Sequence, residues 1–178
     1  MAPSPPDVDP TRYLDGQQFH REVQRVYGAP LGWAVNKRAE HMAKVLYRAP
    51  HFNAAEQGVR QGAGNDWATW VFSEEPGLEE HLFTAPLELI IDARLEAGAS
   101  IGLHWHQETE EVYTLLEGEL TMTTVASDGR EATSTLRAGD AHAVRLGQGH
   151  FGVAGPAGAR FLAVAVRVPR PGGSRAPP

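Results

Sequence analysis

The feature that most constrains this 178-residue chain is a spaced set of metal-ligating side chains between two glycines: Gly98, His104, His106, Glu111 and Gly118. A strand alternates its faces with a period of two, so His104 and His106 aim side by side while Trp105 points away. The same period places Glu111, Tyr113 and Leu115 on one face of the next run. There Glu111 can swing its carboxylate toward the two imidazoles. Downstream, His150 follows the turn Gly147-Gln148-Gly149 and would arrive from a neighbouring strand. Imidazole and carboxylate together suit a divalent transition metal and do not suit Ca²⁺ or Mg²⁺, which prefer oxygen. The chain has no cysteine, so His and carboxylate are the ligands it has to offer, and no disulfide can form.

The surroundings of this set read as β-structure. From Trp67 onward, short β-prone runs alternate with turn residues: 68–72, 87–93, 100–106, 111–116, 120–125, 132–136, 141–146 and 161–168. Asp128-Gly129 is a hairpin signal, because the pair supplies the positive φ angles that a tight turn demands. Gly118 and the Gly139-Asp140 step mark further turns. About eight short strands in roughly 100 residues indicate a sandwich or barrel. Before them, an arm over 11–66 reads as partly helical, with helical spacing over Tyr13–Tyr27 and, more loosely, over Ala34–Leu46. Its aromatics Phe19, Tyr27, Trp33, Tyr47 and Phe52 need burial, on the barrel or across a partner subunit. Residues 1–10 and 169–178 are rich in proline and read as disordered ends.

These residues resemble the cupin family. Its first motif, G-x5-H-x-H-x3-4-E-x6-G, is matched in full by Gly98, His104, His106, Glu111 and Gly118. Its second, G-x5-P-x-G-x2-H-x3-N, is matched by Gly139, Gly147 and His150, with Arg145 in place of the proline and Ala154 in place of the asparagine. The resemblance covers about residues 68–168. It implies an all-β, double-stranded β-helix (jelly-roll) barrel over 67–168. It also implies one divalent transition metal per chain on His104, His106, Glu111 and His150. Iron is the favoured metal, with Zn, Ni, Mn and Cu as alternatives. It further implies a homodimer, by analogy.

Three other residues are candidates for catalysis. Tyr113 shares the parity of Glu111, so its hydroxyl either enters the cavity or is satisfied within the core. His142 is either a partner behind the metal ligands or an ordinary strand histidine. Arg145 either clamps an anionic substrate or lies on the surface. Glu108 and Glu110 read as solvated, and His20, His41, His51 and His81 lack ligand spacing.

Net charge excludes some functions. With 22 acidic against 16 basic residues, the chain carries -6 and lacks the clustered Lys and Arg of a nucleic-acid surface. No run reaches the ~18 to 20 apolar residues of a membrane span, and the N-terminus lacks a signal pattern, so a cytoplasmic location is expected. The function expected is a metal-dependent enzyme on a small organic molecule, first an Fe(II)-type dioxygenase that binds substrate and O₂. The alternatives are a non-redox isomerase, lyase or cyclase, and a binding or sensor module without turnover.

Overall fold

The structure is a computed structural model that describes residues 8–16, 37–50, 56–75, 77, 79–80, 82–83 and 85–169. Nine strands are described: β1 (Leu14–Asp15), β2 (Ala43–Arg48), β3 (Asn65–Ser73), β4 (Leu87–Leu95), β5 (Ser100–Trp105), β6 (Thr109–Val125), β7 (Glu131–Arg137), β8 (Ala141–Val144) and β9 (Gly149–Arg167).

The barrel depends on β6 and β9, which are long enough to belong to two sheets. The first half of β6 pairs with β8 and with the end of β9; its second half pairs with β7 and with the start of β9. One layer therefore runs β1-β2-β3-β4-β9-β6 and closes on β8. The opposite layer runs β5-β9-β6-β7. The strands turn the corner at two irregularities in the β6–β9 ladder, between Leu115 and Glu117 and between Gly118 and Leu120. Bulges are the usual device by which one strand serves two sheets. Gly118 is thus a bend inside one continuous strand, not the turn between two that its sequence context suggests. Its φ is +77°, and a Cβ there would lie 2.1 Å from the carbonyl oxygen of Gly158.

Leu95, Leu115, Leu120, Met122 and Phe161 fill the space between the layers and are fully buried. On the outer side of the bend, Arg160 forks onto Asp92 at 2.7 and 3.0 Å and reaches Glu117 at 2.9 Å, linking β4, β9 and β6.

The helix expected over Ala34–Leu46 is not formed in its described part. A short 3-10 turn at Ala39–His41 leads directly into β2, which pairs with β3 from Ala43↔Trp70 to Arg48↔Asn65. Without β2 the backbone donors and acceptors of β3 on that side would lack partners. That requirement outweighs a loose helical pattern. Of the helix expected over Tyr13–Tyr27, residues 17–27 lie outside the described residues, and Leu14–Asp15 form a two-residue parallel pairing with Val45–Leu46. Val8, Leu46 and Trp67 pack together on the outer face of β2 and β3, with Tyr13 edge-on to Trp67 at 5.1 Å.

Candidate metal centre

The alternation read from the sequence holds through the site. Trp105 at the end of β5 is 40% exposed while His104, and His106 just past the strand, turn inward; in β6, Glu111, Tyr113 and Leu115 are buried and Val112 is exposed. His104 and His150 are cross-strand partners on β5 and β9. Glu111 lies across from Ala165 on β9 and Val144 on β8.

These placements bring four donor atoms together. His150 Nε2 is 2.9 Å from His104 Nε2 and 3.2 Å from His106 Nε2. Glu111 Oε2 is 3.4 Å from His150 Nε2, 3.5 Å from His106 Nε2 and 3.9 Å from His104 Nε2. An ion bound at about 2.1 Å by each donor would set adjacent donors roughly 3.0 to 3.4 Å apart.

The outer nitrogens fix what the inner ones present. His104 Nδ1 lies 2.9 Å from the carbonyl oxygen of Gly102, which only accepts, so Nδ1 carries the proton and Nε2 presents a lone pair. His106 Nδ1 pairs with Thr109 Oγ1 at 3.0 Å, and His150 Nδ1 pairs with His142 Nε2 at 3.2 Å. Burial keeps His106 and His150 neutral, pushing them down to about 4 and about 3. Burial alone would raise Glu111; the imidazoles of His104 and His150 outweigh it and hold the carboxyl below its usual range. Its Oε2 is buried without a hydrogen-bond partner among the described residues. An orphaned carboxylate oxygen facing imidazole lone pairs is a site for a cation, and the donor set fits a divalent transition metal.

His104, His106 and Glu111 line a cavity of about 210 Å³, so a molecule inside it meets the donor cluster directly. The floor is alkyl because Ala68, Ala93, Ala163 and Ala165 leave room that larger side chains would fill. Ala68 pairs with Ala93 across β3 and β4, and Ala163 and Ala165 lie on β9 opposite Ile91 and Leu89 of β4. Tyr47 and Trp70 complete one wall, with Trp70 Nε1 donating to the Tyr47 hydroxyl at 3.1 Å.

The three catalytic candidates separate. Tyr113 lines the cavity, stacked on Phe161 at 4.6 Å, and burial raises its phenol well above the usual range. His142 lies behind His150, outside the cavity lining. Arg145 is exposed just beyond β8 and outside the cavity lining, with its backbone N–H donating to Gln148 Oε1 at 3.0 Å. Glu108 is exposed and Glu110 half-buried. The residues that sequence reasoning missed are Asp66, Glu75 and Glu88, which also line the cavity. Apart from strand parity, no spacing distinguishes them from surface acids.

Known proteins agree with this geometry. The family model described as Cupin domain matches residues 92–165. Over 57 residues the chain is 40% identical to the oxalate decarboxylase of Bacillus subtilis, a stretch covering 32% of this chain and 15% of that protein. A crystal structure described as a predicted oxalate decarboxylase from Thermotoga maritima superposes with a TM-score of 0.55 at 22% identity, covering 75% of this chain and 100% of that one. The Bacillus subtilis oxalate decarboxylase superposes with a TM-score of 0.53 at 22% identity, covering 75% of this chain and 30% of that one. Structural likeness at these identities speaks for the fold alone. With the first motif complete, His150 in place in the second, and the ligands converging on a two-layered barrel, residues 92–165 of this chain form a cupin domain.

Proposed function

We propose that this protein is a metal-dependent enzyme acting on a small organic acid, as a lyase that releases carbon dioxide or another small fragment. The observation that carries this reading is the opening of His104, His106 and Glu111 onto a small, mostly apolar cavity, too small for a large ligand. The stretch shared with a decarboxylase supports the reaction class. The bound metal would supply a Lewis acid that withdraws charge from a substrate oxygen. The chain's own residues do the rest. The alkyl floor offers an apolar surface to the carbon chain of a substrate. The Tyr113 hydroxyl stays protonated and offers a donor to a substrate lying against the metal ligands.

A second reading, an Fe(II)-type dioxygenase, is favoured by the donor set itself, since three imidazoles and a carboxylate suit iron as well as manganese or zinc. One experiment separates the two. The protein is purified without chelator, its metal is measured, and small carboxylic acids are offered with and without oxygen. Fragment release that continues anaerobically supports the lyase; turnover that stops without oxygen and consumes it supports the dioxygenase. Loss of stoichiometric metal from wild-type protein sinks both.

A further inference from the structure

The cavity holds more acid than its metal ligands account for. Beside Glu111, the wall carries Asp66 on β3, Glu88 on β4 and Glu75 just after β3, and among the described residues no lysine or arginine lines it. Asp66 is 6% exposed, and its Oδ1 has no hydrogen-bond partner among the described residues. Glu88 Oε1 accepts from the Arg167 guanidinium at 3.1 Å, but its Oε2 is buried and has no hydrogen-bond partner among the described residues. Arg167 stands outside the lining, so the interior remains net acidic.

Buried carboxyls without partners are costly, and a cavity is where a chain retains them for use. Burial pushes Asp66 up to about 7. Glu75 also stands at about 7, through burial and the charge of Glu88. Near neutrality both groups hold a proton, and an incoming cation would displace that of Asp66. The aromatic side chains of Tyr47 and Trp70 share this cavity and add a second surface suited to a cation. A second carboxylate or a phosphate on the substrate would find no lysine or arginine among the described lining residues to receive it.

We propose that the cavity selects a substrate bearing an organic cation, such as an ammonium group, joined by a short alkyl chain to the oxygen group presented to the metal, and that Asp66, beside its cross-strand partner Tyr47, receives the cation. This deepens the reading of the protein as a metal-dependent enzyme on a small acid, and rests on it for the metal-facing end. Asp66 then defines substrate class, while the donor cluster defines reaction class.

The test uses calorimetry on the full-length, metal-bearing protein with γ-aminobutyrate, its trimethylammonium analogue, valerate and glutarate as probes. These place a cation, a methyl group or a carboxylate at the same distance from a common carboxylate. The expected result is binding of at least one cationic probe about tenfold or more tighter than valerate, with glutarate weakest. Near pH 6, binding should release a proton, read from its dependence on buffer ionisation enthalpy. Asp66→Asn should reduce the cation preference and the proton release while metal content stays unchanged, and Glu75→Gln, beyond the far end of β3, should leave the preference in place. Valerate or glutarate binding as tightly as the cationic probes would overturn the proposal. So would a preference that survives Asp66→Asn, or no cationic binding at millimolar concentration. Repeating the titration on metal-stripped protein separates the two claims, because cation preference there stands even if the metal-dependent reaction fails.

Discussion

His142 Nε2 lies 3.2 Å from His150 Nδ1, and the two rings are nearly parallel, at 16°. One imidazole thus braces another from the side away from the cavity. When His142 accepts the Nδ1 proton, His150 must present its Nε2 lone pair to the other donors. Partners of this kind typically contribute 10- to 100-fold in metal affinity. His142→Ala is therefore expected to weaken metal binding by about 10- to 100-fold, measured by competition with a chromophoric chelator. His142→Gln should restore part of the loss. Unchanged affinity in His142→Ala would make the contact incidental.

Asp66 makes stability depend on pH in the direction opposite to an ion-paired carboxylate. Its folded pKa is about 7 against an ordinary 3.8, raised by burial. Between those values the folded chain holds a proton that the unfolded chain has lost, so stability falls as pH rises. The groups around it do not reverse the sign: Tyr47 and Leu95 lie across the sheet, and the phenol of Tyr113 is neutral. Asp66→Asn should leave stability nearly unchanged at pH 4 and raise it by up to about 4 kcal/mol at pH 8. Denaturant melts at the two pH values check this, and an equal effect at both would contradict it.

Gly118 should be intolerant of any side chain. Its positive φ and the approach of the Gly158 carbonyl leave no space for a Cβ. Gly118→Ala is expected to cost about 1–3 kcal/mol from backbone strain, with further loss from the clash. Thermal melts of this variant and of Gly129→Ala, where a Cβ meets nothing within 4 Å, isolate the clash, since both glycines share the positive φ.

The alkyl floor predicts a clean separation of binding from metal capture. Ala163→Leu adds three carbons beside Tyr113 and Ile91 without touching a ligand. Substrate-sized acids should lose about tenfold or more in affinity, while metal content stays at the wild-type level. The core has room to accept the added volume, so destabilisation should remain within the roughly 1–3 kcal/mol of ordinary overpacking. Loss of metal in this variant would show that floor and ligands are mechanically coupled.

Much of the site was legible because strand parity is local. His104, His106, Glu111 and Tyr113 could be assigned to an inner face from their spacing, and the second motif supplied His150. What remained hidden depends on pairing between distant segments. Ala43–Arg48 has a pattern loose enough for a helix, and only the open edge of β3 makes it a strand. Gly118 reads as a stop because glycine usually ends a strand; the continuous ladder across it appears only when β9 lies alongside. Asp66 looks like a surface acid until β2, β4 and β6 enclose it. Arg145 could not be placed from parity, since the bend after β8 decides its direction.

The sharing of β6 and β9 between both layers also sets an order of events. His104 and Glu111 are near in sequence, but His150 reaches them only when β9 has paired along β5 and β6. Contacts between distant segments form slowly, because the intervening loop must lose its freedom first. High-affinity metal capture therefore reports barrel closure: a chain with β9 undocked offers three donors and holds an ion weakly. In stopped-flow refolding, tight metal uptake should rise with the slowest phase of structure formation, making the centre a built-in clock for the final step of folding.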